Sequence, residues 1–150
     1  MLGVVRFVVS VAVLAAPLSA FADQPGKHPA FLHALTDLRH ARAHLEKPAK
    51  PEVQWDEKTA IESIDKAIAE IKKAAIDDGK DLNHHPGVDV KLNHEGRLRR
   101  ALELLRKAKK DITEKEDNSF ADGLRDRAVR HIDTAINFTE QAIANAHHKG

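Results

Sequence analysis

Four stripes of apolar side chains, each repeating at helical spacing, constrain this chain more than any other feature. Phe31, Leu35, Leu38, Ala41 and Leu45 form the first. Ile61, Ile64, Ile68, Ile71 and Ala75 form the second. Leu98, Ala101, Leu102, Leu105, Ala108 and Ile112 form the third, and Leu124, Ala128, Ile132, Ala135, Ile136, Thr139 and Ile143 the fourth. Residues three and four apart share one face of an α-helix, so each stripe predicts one amphipathic helix. No segment alternates with the period of two that a half-buried strand needs. The pattern predicts an all-α fold.

The ends of the stripes are punctuated. Pro29 suits the first turn of a helix, where a missing N–H costs nothing. Pro48 and Pro51 stop the first helix. Asp56 is placed to cap the second, with Trp55 before it as a hydrophobic staple. Gly79 suits a C-cap. Asn93 is placed to cap the third helix, and Ser119 with Asp122 has capping-box spacing for the fourth.

The chain also repeats. Ala34, Leu35, Leu38, Arg39, Ala41 and Leu45 match Ala101, Leu102, Leu105, Arg106, Ala108 and Ile112 at an offset of 67. Ile64-Asp65-Lys66-Ala67-Ile68 returns as Ile132-Asp133-Thr134-Ala135-Ile136 at an offset of 68. This predicts an antiparallel four-helix bundle built from two similar helical hairpins. Hairpin 1 covers about 28–77, a connecting loop about 78–92, and hairpin 2 about 93–146. Short links, about 48–55 and 115–118, make each hairpin antiparallel.

Residues 1–22 read as a cleaved secretory signal peptide. Arg6 supplies the positive start, Phe7 to Leu18 the apolar run, and Ala20-Phe21-Ala22 the cleavage site. The apolar run is short for a membrane span. The expected location is periplasmic or secreted, with residues 23–150 as the bundle domain.

Lys plus Arg number 24 and Asp plus Glu 23, a net charge of +1. Such balance argues against a nucleic-acid binder, which carries a basic surplus. The absence of cysteine excludes disulfides, thiolate metal sites and a cysteine nucleophile. The ten histidines are what is left for chemistry.

His33, Asp37, His40 and His44 stand at i, i+4, i+7 and i+11 and form one polar stripe flanking the apolar one. His40 and His44 are one turn apart, a spacing at which two imidazoles clamp a Cu(II), Ni(II) or Zn(II) ion. Asp37 is a third ligand or an orienting acceptor. The same stripe also reads as a solvated face. At the matching repeat positions of the three histidines stand Arg100, Lys107 and Asp111, so packing does not require histidine there.

A second cluster lies in the middle loop, where His84 and His85 are followed by His94; it reads as a loop metal site or a solvated connection. His28, His94 and His131 read best as hydrogen-bonded structural histidines. His147-His148 reads as a frayed tail.

Enzyme signatures are missing. There is no G-x-S-x-G, P-loop or G-x-G-x-x-G, and His94-Glu95 lacks the second histidine of H-E-x-x-H. The carboxylate-rich di-iron pattern is missing too. The chain is not expected to be an enzyme.

The opening His28-Pro29-Ala30-Phe31-Leu32-His33-Ala34-Leu35-Thr36-Asp37-Leu38-Arg39, with Ala74-Ala75-Ile76-Asp77-Asp78-Gly79-Lys80-Asp81-Leu82, resembles a group of small secreted bacterial helical proteins of unassigned function. More loosely, the chain is similar to the bacterial small metal-binding protein, a periplasmic His-rich helical bundle. That resemblance implies uptake of copper or other divalent ions. Histidine recurs through every helix there, whereas the second helix has none here. The resemblance therefore implies one or two sites, with His40 and His44 closest to the pattern.

Two functions follow as expectations. One is a periplasmic or secreted binding module that buffers or delivers Cu, Ni or Zn. The other is a structural or interaction protein, chaperone-like or partner-binding, with no metal role. Its partner is another protein or a second copy.

Overall fold

A computed structural model of the chain describes residues 29–46, 55–74, 87, 91–114 and 119–148. The described residues form four α-helices and no strand. They are α1 (Pro29–Glu46), α2 (Trp55–Ala74), α3 (His94–Thr113) and α4 (Ser119–His148). The expected signal peptide at 1–22, His28, Gly79, His84 and His85 lie outside the described residues.

Helix boundaries follow local chemistry. Pro29 opens α1. Asp56 and Glu57 lie in the first turn of α2, and Lys72 and Lys73 in its last, complementing the helix dipole at both ends. Asp56 is inside the helix rather than ahead of it, because α2 starts at Trp55. Asn93 caps α3 as its spacing predicts: its side-chain oxygen accepts from the Gly96 N–H at 2.7 Å. A Cβ at Gly96 would stand 2.9 Å from Asn93 Oδ1, so a side chain there would press on the cap. α4 runs to His148, past the expected frayed end.

The four stripes meet in one core. Leu35, Leu38, Ile64, Ile68, Leu105, Ile112 and Ile132 are fully buried in it. Ala41, Ala60, Ala67, Ala101, Ala108 and Ala135 are equally inaccessible, and these small side chains let helices approach closely. Thr139 is buried as well, its hydroxyl donating to the Ala135 carbonyl at 2.7 Å.

The most extensive packing is not between helices consecutive in sequence. α2 packs chiefly on α4 and α1 on α3, so helices at matching repeat positions pair. α3 with α4, and α1 with α2, share less. The two remaining pairs, α1 with α4 and α2 with α3, are not neighbours. No helix of the described residues is long and apolar enough to cross a membrane.

Candidate functional site

The predicted stripe on α1 does not stay together as a ligand set. His33 is exposed, His40 is half-buried, and Asp37 and His44 are buried. Asp37 accepts from Lys107 Nζ of α3 at 2.5 Å. That hydrogen bond raises the Lys107 ammonium above its ordinary value, with burial opposing it. The carboxylate that would complete a metal site is therefore engaged by a cation. Among the described residues no group of three or more His, Asp or Glu side chains is arranged to hold a metal ion.

Polar chemistry gathers instead where the N-termini of α2 and α3 meet the C-terminus of α4. Glu57 sits on the inner face of α2 and is completely buried. His94, the first residue of α3, places Nε2 at 2.8 Å from Glu57 Oε1 and keeps a third of its side chain in water. An imidazole that engages a carboxylate through one nitrogen has its other nitrogen fixed in direction. Glu57 is a partner for His94 that residue type alone hides.

Around this pair the surface charges are matched one by one. Glu95 Oε1 accepts from Arg99 Nε at 2.8 Å and lies 3.2 Å from His147 Nε2. The Arg99 hydrogen bond, helped by the His147 charge, holds the Glu95 carboxyl below its ordinary value against a small opposing effect of burial. His147 is therefore anchored rather than frayed. Asn145 Nδ2 donates to Asp56 Oδ2 at 2.8 Å, tying α4 to α2.

The same matching covers the basic face of α3. Arg100 pairs with Glu103, Arg106 with Glu140, Lys107 with Asp37, and Lys109 with Asp133. Cations already facing carboxylates attract a phosphate backbone weakly. On α1, Arg42 bridges Glu46 and Asp65 of α2. Half-buried His131 on α4 has its pKa lowered, by burial first and then by the Lys66 charge, with Glu70 opposing.

One other surface feature stands out. Trp55 is 69% exposed and is the only exposed large hydrophobic side chain among the described residues. Its ring meets Phe138 edge-on, with centroids 5.2 Å apart. On the same part of α4 the exposed Asn137, Gln141, Ala144 and Asn145 carry no charge, and Glu140 among them is paired with Arg106.

Arg97 is only 6% exposed, a burial that its residue type does not suggest. Its position, four residues before Ala101 on the inner face of α3, is the signal that reveals it.

No protein family, no curated protein and no solved structure matches the chain.

Proposed function

We propose that this chain is an exported, non-enzymatic helical module that docks another protein through the α2–α4 face around Trp55. Export rests on the segment 1–22. Docking rests on one observation: a single large aromatic side chain held in water and met edge-on by Phe138. Interface centres are enriched in Trp and Phe and depleted in charge. A face of that kind sheds its water at low cost, whereas the matched ion pairs of α3 do not.

The fold we propose for it is an antiparallel four-helix bundle of two similar hairpins. The contact pairs support it. Trp55 meets Phe138, Asp56 meets Asn145 and Glu70 meets Arg127, so α4 descends broadly as α2 ascends. Glu95 meets His147 and Arg106 meets Glu140 in the same sense on α3 and α4.

The docking reading takes precedence over metal handling because Lys107 engages Asp37 and His44 is withdrawn from solvent. A photo-crosslinking amino acid at position 55, expressed in the source cells, tests it. A discrete protein adduct is expected from position 55, and none from position 130 on the exposed outer side of α4. No adduct from 55, or equal adducts from both positions, overturns the reading.

A further inference from the structure

At the N-terminal end of α3, Arg97 lacks a carboxylate partner among the described residues. Glu57 engages His94, and Glu95 engages Arg99 and His147. Arg97 donates from Nη1 to the Leu92 carbonyl at 3.0 Å. Its Nε and Nη2 are both inaccessible and make no hydrogen bond. A guanidinium keeps its charge in proteins, and a buried charge without a counter-charge is strongly unfavourable. Structures resolve that cost by pairing.

The geometry says what kind of group would pair. Nε and Nη2 lie along one edge of the guanidinium and present two parallel N–H bonds. That edge is the one that matches two oxygens of a carboxylate, phosphate or sulfate. Nη1 is the nitrogen already used, and the Leu92 carbonyl is where it is anchored. Leu92 immediately precedes the Asn93 cap, so the side chain folds back along the first turn of α3. Helix N-termini favour negative charge, through the dipole and through N–H groups that lack intrahelical acceptors. Asn93 satisfies the Gly96 and Arg97 amides. The fork and the dipole act at the same end. Of the nearby carboxylates, Glu57 lies against His94, and Glu95 against Arg99 and His147.

We propose that Arg97 and the first turn of α3 form a binding site for a small oxyanion, taken side-on by Nε and Nη2. The ligand is either a free inorganic oxyanion or a carboxylate group of a larger molecule. This inference stands apart from docking at Trp55.

Calorimetric titration of the purified protein with sodium phosphate, sodium sulfate and sodium acetate, at matched ionic strength, tests it. Saturable binding of one ion per chain is expected, with Arg97→Met weakening it by roughly tenfold or more, the scale of a lost charge-assisted hydrogen bond. Arg97→Lys keeps the charge but not the fork and should fall between the two. Preference for phosphate or sulfate assigns a tetrahedral inorganic anion, and preference for acetate assigns a carboxylate. Thermal unfolding provides the second readout: the preferred anion should raise the wild-type midpoint and leave that of Arg97→Met unmoved. No saturable binding of any of the three anions overturns the proposal. Equal affinity in wild type and Arg97→Lys, or equal midpoint shifts in wild type and Arg97→Met, overturns it as well.

Discussion

Glu57 and His94 meet at 2.8 Å although α2 and α3, which carry them, are not neighbours in the fold. The pair spans a diagonal of the helix arrangement and ties two helices that no backbone contact joins. Its two members are unequal: Glu57 is wholly buried, whereas His94 reaches solvent. Removing them should therefore have unequal effects. His94→Ala deprives a buried carboxylate of its imidazole contact and should destabilise by about 1–3 kcal/mol. Glu57→Leu removes the buried polar group itself and should cost less, or nothing. Urea unfolding of the two variants checks the order; a greater loss for Glu57→Leu contradicts it.

The repeat makes a prediction about the core. Leu38 and Leu105 occupy matching positions and are both fully inaccessible. Leu38→Ala and Leu105→Ala should each cost about 2–5 kcal/mol, with similar values for the two. Chemical denaturation measures both, and a wide disparity would show that the two halves support the core unequally.

His131 gives the protein a pH dependence with a definite sign. Burial, reinforced by Lys66, lowers its folded pKa below the ordinary 6.5. The unfolded chain then takes up a proton before the folded chain does, so this contribution is intact above pH 6.5 and lost as pH falls through and below it. Wild type should lose more stability than His131→Gln between pH 7.5 and 5.5. Urea midpoints at the two pH values decide; parallel losses refute the assignment.

Metal titration tests how firmly α1 is committed elsewhere. Asp37 is bound by Lys107, and His44 is buried. Cu(II), Ni(II) and Zn(II) should bind α1 more weakly than micromolar, unchanged by His40→Ala with His44→Ala. Micromolar binding lost in that double variant would restore metal handling as the working function.

The helices were legible because periodicity is a local property. Stripe residues such as Leu35, Ile64, Leu105 and Ile132 all reach the core, and Asn93 caps where its spacing places it. What was hidden depends on partners far along the chain. Asp37 reads as a ligand until Lys107, 70 residues away, is beside it. His147 reads as tail until it is beside Glu95 and Arg99, the latter 48 residues away. Glu57 and Arg97 were hidden for another reason. Glu57 stands four residues before Ile61 and seven before Ile64, and Arg97 four before Ala101, so both continue an inward face. Charge suggests the surface for such residues, and the register overrules it.

The preference of α1 for α3 and of α2 for α4 means that neither α1 with α2 nor α3 with α4 is a self-sufficient half. Cut between Ala74 and His94, the chain would yield two fragments, each exposing the stripe that the other covers. Expressed apart, each should show little helix by circular dichroism, and mixing should restore it. The same complementarity operates between molecules: a helix pair released from its own partner finds an equivalent surface on a second chain, which is the geometry of a domain swap.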